Sequence, residues 1–550
     1  MTLMDPRANE LATAKLYSAT VIGHTNATTA RIWARLYQPG KWTLVLSTAP
    51  FTGDLTRLNE QTIRGFLKAS GIKPAFIGEH DFDYSSNLTH TFDVDGLEPF
   101  TRYYYALMCE DKSISRRTEL GYSLDRYFRT QAENARELVF GFYSCHDPIN
   151  ADNSVGAWPH MLEQLCTHSA DFVIGGGDQV YVDTNAKQDF PDVWVWLKDN
   201  KDELLQTYRK GRGYDEDGIY QYLLNLYRWF YRVYWQVAPL QAVYRQFPQY
   251  MMWDDHEIMD GWGSYTEKER LHRLSRLFKA DDKKVDGMLI DLMWRAACRA
   301  YYEFEHSHNP PTPYDEQNPD NCQWDYSFSQ GPAAFYVLDM RGQHDVEKDP
   351  RQDPFKILGR AQMDRFLQWL PDQAENPACK VLFVVSPVPM LHWVDALVNY
   401  ADLGSIKDDL MDEWDHDSNW AERAVILNNV FAQLDKHGKL LVFLSGDVHC
   451  ASVYQLTHNK YLKARVYQLT SSAISRKPAP AASLIGISSG GALKGCKGIV
   501  SERLFALTGH KNFSLLHVFE DASGTLQTEA QICWPGENAG ETISKRIRFK

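Results

Sequence analysis

Four apolar runs in this 550-residue chain each stop at residues able to hold a metal ion. LVFGFYSCHD ends at Cys145 and Asp147, and FVIGGGDQVYVD carries Asp178 and Tyr181. YMMWDDHE carries Asp254, Asp255 and His256, and LLVFLSGDVH carries Asp447 and His449. In an α/β sheet the carboxyl ends of the strands form the crevice where ligands sit. Strands that bring a thiol, a phenol, imidazoles and carboxylates to one crevice can assemble a polynuclear metal centre. The chemistry such a centre supports is hydrolysis, with a phosphate ester as the leading substrate.

Each motif also has a plainer reading. Asp178 follows three glycines, which allow a tight turn and close approach to a ligand, but a strand-to-helix bend with a capping Asp would look the same. Asp178 and Tyr181, in the order D-x-x-Y, can turn towards one ion. Adjacent acids and a histidine after an apolar strand are costly near a core unless paired or metal-bound, so Asp254, Asp255 and His256 are either ligands or a salt-bridged acidic turn. His256-Glu257 does not extend to a zinc-protease HExxH, because position 260 is Asp. Asp447 and His449 use the strand period of two. Cys145 alone would pass for a core cysteine; its place at the end of a strand raises it. Arg341, in Leu-Asp-Met-Arg-Gly, has the fork geometry to bind phosphate, or it closes a strand-end salt bridge with Asp339 or another acid.

The elements that must position these residues read as follows. From about residue 16 to 130, ARIWARLY, WTLVLST, HTFDVDG and RYYYALMC alternate apolar and polar positions between turn signals, the pattern of a small β-sandwich. Beyond this the chain alternates strands and helices. Strands are expected at 138–145, 171–176, 249–254, 333–340, 380–386 and 439–445, and helices at 154–169, 360–370 and 419–437. Helical stretches are expected through about 245 and over 265–306. Segment 306–325 is a Pro/Asn-rich loop, and VYQLTSS and FSLLHVFED add further strands. A sheet layered with helices follows.

At this length two domains, or one with large insertions, are expected. A formal charge of −13 argues against a sequence-independent grip on nucleic acid. No run approaches the roughly 20 apolar residues of a membrane span. The N-terminus shows no export signal, and nine cysteines without CxxC pairs form neither a disulfide framework nor a structural zinc site. The expectation is a cytoplasmic globular protein.

GDxxY, WDDHE and GDxH, in that order behind a β-rich N-terminal region, resemble the PhoD-like alkaline phosphatase/phosphodiesterase family of the metallophosphoesterase superfamily. VIGHTNATTARIWARL, FYVLDMRGQ and YQLTSS resemble further family segments. The resemblance implies an α+β fold, with a β-sandwich over residues 1–132 and a catalytic αββα sheet sandwich over 133–550 carrying a helical insertion at about 185–248. It implies that Asp178 bridges two metals, that Tyr181 and Cys145 bind Fe(III) as phenolate and thiolate, and that His449 completes the set. Asp255 would bind the second metal, and His256 would face the phosphate as general acid or transition-state stabiliser. Asp147 and Asp254 would bind a further calcium or support the ligands.

Ligand chemistry agrees. Tyr181, Cys145 and His449 suit a transition metal, and phenolate with thiolate favours Fe(III). Asp178, Asp255 and Asp447 offer only oxygen, which suits Ca²⁺, Mg²⁺ or Mn²⁺. By the same resemblance, Asp447 and Ser386 stand where classical relatives place histidines. The expected cofactors are therefore Fe(III) and one or two divalent cations, and the expected reaction is attack by a metal-activated hydroxide on a small phosphomonoester or phosphodiester. Two other readings are a non-catalytic binding or scaffold protein on the same fold, and a phosphodiesterase dedicated to a lipid, nucleotide or polymer. The Trp/Tyr-rich insertion (Trp194, Trp196, Trp229, Tyr231, Trp235) would either roof the cleft or pack as aromatic core.

Overall fold

The computed structural model describes residues 18–51, 62–110, 126–149, 155–183, 192–274, 283–349, 353–392, 411 and 413–550. Part of the expected insertion (185–191), the N-terminal residues 1–17 and the middle of the 265–306 stretch lie outside the described residues.

Alternation in the N-terminal strands is resolved into two small antiparallel sheets. Ala19–Thr25, Ala30–Arg35 and Thr89–Val94 form one; Phe76–Phe82, Gly40–Ser47, Arg102–Cys109 and Tyr127–Arg129 form the other. Their inward residues, among them Ile22, Ile32, Trp42, Leu44, Phe92 and Leu107, make a shared core. This sandwich is keyed into the rest of the molecule by Trp33. Its indole N–H donates to the Glu303 carbonyl at 2.6 Å, and its ring packs on Trp235 and Phe304.

The remainder is a second, larger sheet sandwich. One sheet has six strands in the order Gln249–Met252, Phe172–Gly176, Leu138–Tyr143, Phe513–Glu520, Leu526–Pro535 and Thr542–Phe549. The other has eight, in the order Tyr326–Gln330, Ala333–Val337, Val381–Ser386, Leu440–Ser445, Arg465–Ser471, Ala451–His458, Ile499–Leu507 and Gly490–Ala492. The central strands are unbroken Val/Ile/Leu/Phe runs because both faces are buried. Between the sheets Phe140, Phe172, Phe335 and Phe383 form one aromatic cluster, with centroid spacings from 4.9 to 5.5 Å. Helices Trp158–Thr167, Glu216–Tyr234 and Lys283–Phe304 cover the first sheet; Gly359–Glu375 and Trp420–His437 cover the second. This is the α+β, αββα architecture expected.

Two differences bear on the site. Strand 333–340 stops at Val337: the Leu338 N–H still donates to the Val385 carbonyl at 2.9 Å, and Asp339 and Met340 then begin the turn that carries Arg341. The five aromatics of the insertion are all buried in the core cluster over the first sheet, so they pack rather than line a cleft. Among the described residues no helix is long and apolar enough to cross a membrane.

Candidate metal centre

In the first sheet Leu138–Tyr143, Phe172–Gly176 and Gln249–Met252 run parallel, so they end on one edge. In the second sheet Ala333–Val337, Val381–Ser386, Leu440–Ser445 and Arg465–Ser471 do the same. Backbone hydrogen bonds join neighbouring loops along each edge, and one crosses from edge to edge. The Cys145 N–H donates to the Gly177 carbonyl at 3.2 Å, and the Gly446 N–H to the Pro387 carbonyl at 2.8 Å. The Ile474 N–H reaches the Ser144 carbonyl at 2.9 Å. Two glycines permit this closeness. A Cβ on Gly446 would lie 2.4 Å from the Ser144 side chain. One on Gly177, whose φ is +97°, would lie 2.8 Å from Asp254 Cβ.

The seam gathers the four motifs. Ligand atoms of Cys145, Asp178 and His449 all lie within 4.8 Å of one another, as do those of Asp178, Asp255 and His256, and those of Asp178, Asp254 and Asp447. Asp178 belongs to all three sets. Its Oδ2 accepts from Tyr181 OH at 2.8 Å and lies 3.3 Å from Cys145 Sγ, and Tyr181 OH is 3.4 Å from His449 Nε2. Cys145, Asp178, Asp447 and His449 each hold a positive φ, from 52° to 62°. Such conformations cost a non-glycine residue about 1–3 kcal/mol each and persist where the surroundings over-determine them. Four of the eight described non-glycine residues with positive φ are thus in this one cluster.

Without a cation the electrostatics are adverse. Burial, then the Asp178 and Asp447 charges, push the Cys145 thiol well up; burial, then Asp178 and Cys145, do the same to the Tyr181 phenol. Burial also raises Asp178. Burial and the nearby Arg476 cation hold His449 neutral, with its pKa down at about 3. Asp178 Oδ1 is buried and has no hydrogen-bond partner among the described residues. Buried carboxylates are stabilised by pairing or by a metal. A metal ion at the centre of these groups would convert the repulsion into ligation, so the donor set fits one. A neutral imidazole is also the form that ligates.

His256 behaves oppositely. Its Nδ1 lies 2.8 and 2.9 Å from the two Asp183 oxygens, and its ring packs on Tyr181 at 4.1 Å between centroids. Desolvation works against its charge, but Asp183, Asp255 and Asp178 outweigh it and raise its pKa well above the ordinary value. For Asp255, His256 and Arg341 overcome desolvation and lower the pKa. Glu257 fastens the two loops that carry the acids: it accepts from the backbone N–H groups of Asp178, Gln179 and Asp254. His146 is fully engaged as a structural residue by Ser475 and the Tyr234 carbonyl.

Arg341 is 1% exposed. It pairs with Asp254 at 2.5 Å, lies 3.6 Å from Asp255 and donates to the Trp262 carbonyl at 3.1 Å. Asp147 falls outside the three clusters and is paired with Arg476. Three participants were not anticipated from the sequence. Asp183 had a visible signal, an acid closing the apolar VYVD run two residues after Tyr181. Ser472, whose hydroxyl is 3.0 Å from Cys145 Sγ, and Arg476 lie more than 300 positions from Cys145 and had none.

The comparisons bear on fold and family. The model of the PhoD-like phosphatase family matches residues 140–484, more than half of the chain. A solved structure of PhoD superposes with a TM-score of 0.59 over 96% of this chain and 88% of that one, at 19% identity. Alkaline phosphatase D of Bacillus subtilis is 24% identical over 390 residues, 66% of this chain and 54% of that protein. An uncharacterized protein of Saccharomyces cerevisiae is 23% identical over 367 residues, 56% of this chain and 49% of its own length. The chain thus spans about half the length of these curated relatives. It belongs to the PhoD-like phosphatase family.

Proposed function

We propose that this protein is a metal-dependent hydrolase of phosphate esters, monoester or diester, working on a small substrate. The observation that carries the reading is the sharing of Asp178 by a sulfur/phenol/imidazole half and an all-carboxylate half. Cys145, Tyr181 and His449 with Asp178 would hold Fe(III). Asp254, Asp255 and Asp447 with Asp178 would hold one or two hard divalent cations, Ca²⁺, Mg²⁺ or Mn²⁺. Bound ions at such a site acidify a water and offset charge on the phosphoryl oxygens.

The chain's own residues supply the rest. His256, held at Nδ1 by Asp183, keeps its other nitrogen for a proton to the departing oxygen or for a hydrogen bond to the phosphoryl group. Asp183 fixes the imidazole's orientation, Glu257 fixes the spacing of the two acid-bearing loops, and Arg341 anchors Asp254.

Elemental analysis of protein purified without added metal, with a visible spectrum and assays on monoester and diester substrates, tests this. The expected result is about one iron per chain, a broad charge-transfer band lost in Tyr181→Phe, and turnover of at least one ester class. A protein that takes up no metal on reconstitution, or that carries its metals but turns over neither class, would sink it.

A further inference from the structure

Residues 472–479, after strand Arg465–Ser471, are stitched to the sulfur/phenol/imidazole half. Ser472 Oγ contacts Cys145 Sγ at 3.0 Å and accepts from the His449 N–H at 3.2 Å. The Arg476 N–H donates to the Cys145 carbonyl at 3.1 Å, and the Ala479 N–H to the His449 carbonyl at 2.8 Å. This backbone lays the Arg476 guanidinium over the Tyr181 ring, 4.3 Å from its centroid. One terminal nitrogen, Nη1, pairs with Asp147, which is fully buried.

The two site arginines differ in what they leave available. Arg341 is 1% exposed and is spent on Asp254, Asp255 and the Trp262 carbonyl. The Arg476 side chain is 25% exposed. It stands with the partly exposed Asp447, His449 and His256, so it belongs to the open face of the centre.

We infer that Arg476 grips the phosphoryl group of the substrate. Asp147 orients the fork through Nη1, and the opposite edge donates to non-bridging phosphoryl oxygens, the planar match that guanidinium makes with phosphate. Asp147 is then an orienting counter-ion that competes with phosphate for the same cation. The inference rests on the phosphoesterase reading for what the ligand is, and its test does not depend on turnover.

The experiment is calorimetric titration of inorganic phosphate into the metal-loaded protein, with metal content and visible spectrum recorded for each variant. Arg476→Gln is expected to weaken phosphate binding about 10- to 100-fold, the range of a charge-assisted hydrogen bond, with metal content unchanged and the visible band retained but moved, because the cation over the Tyr181 ring is lost. Arg476→Lys is expected to recover only part of the loss. Unchanged phosphate affinity in metal-loaded Arg476→Gln would overturn the assignment. If Arg476→Gln does not load metal, Asp147→Asn decides: phosphate bound more tightly with metals retained supports it, and lost metal or unaltered affinity overturns it. A wild-type protein that binds phosphate through Arg476 yet hydrolyses no ester would keep this assignment and lose the hydrolase. Ester hydrolysis with KM unmoved by Arg476→Gln would do the reverse.

Discussion

The two halves of the candidate metal centre meet at one carboxylate but are held in different ways. The acid half is wired locally. Asp254 and Asp255 are adjacent, Asp255 accepts from the Gly261 N–H at 2.6 Å, and Glu257 accepts from the Asp254 N–H at 2.8 Å. Arg341 and Asp447 reach it from the second sheet. The sulfur/phenol/imidazole half is wired at long range. Cys145, Tyr181 and His449 come from three separate loops, and residues 472–479 bind them together. A locally wired half should tolerate strain elsewhere in the fold, whereas the other half should register any disturbance of the seam between the sheets.

The largest expected effect comes from the residue both halves share. Asp178→Asn should remove both kinds of metal and lower kcat by about 1,000-fold or more, the equivalent of several kcal/mol of transition-state stabilisation. Metal analysis beside a rate assay checks it; two full metal complements in the variant would break the picture of a shared carboxylate. Next come substitutions that separate the halves. Tyr181→Phe should abolish the visible band while the divalent ions stay. Asp255→Asn should leave the band and lose divalent metal. If either variant emptied both halves, the division would be wrong.

A smaller effect is expected at Asp183. Asp183→Asn should cost about 10- to 100-fold in kcat, as lost orienting partners typically do, with metal content unchanged. Metal loss there would make Asp183 a ligand rather than a positioning residue. The smallest changes test the wiring itself. Gly446→Ala would push against Ser144, and Gly177→Ala against Asp254, each destabilising by about 1–3 kcal/mol through overpacking. Thermal unfolding gives the size of each loss. The iron band should shift with Gly446→Ala, and divalent affinity should fall with Gly177→Ala.

Much of this was legible in the chain itself. Central strands announced themselves as apolar runs because burial on both faces demands them, and the candidate ligands stood where those runs stopped. The edge and closing strands were harder to see: 326–330, 451–458, 499–507, 526–535 and 542–549 mix polar and apolar residues, and their pairing is decided by neighbours far along the chain. Arg341 shows the same limit. Its sequence context allowed either a phosphate fork or an ion pair, and the fold puts Asp254 within reach of it.

Residue types and local spacing therefore determined which donor types are available, the order of motifs and the two-sandwich plan, since hydrophobic period and donor type are properties of short segments. Which loops meet, which acid lies against His256, and which arginine is buried and which is partly exposed were decided only in three dimensions. Those choices depend on how two sheet edges close on each other, and contacts between residues 145 and 472 or 181 and 476 leave no trace in either neighbourhood alone.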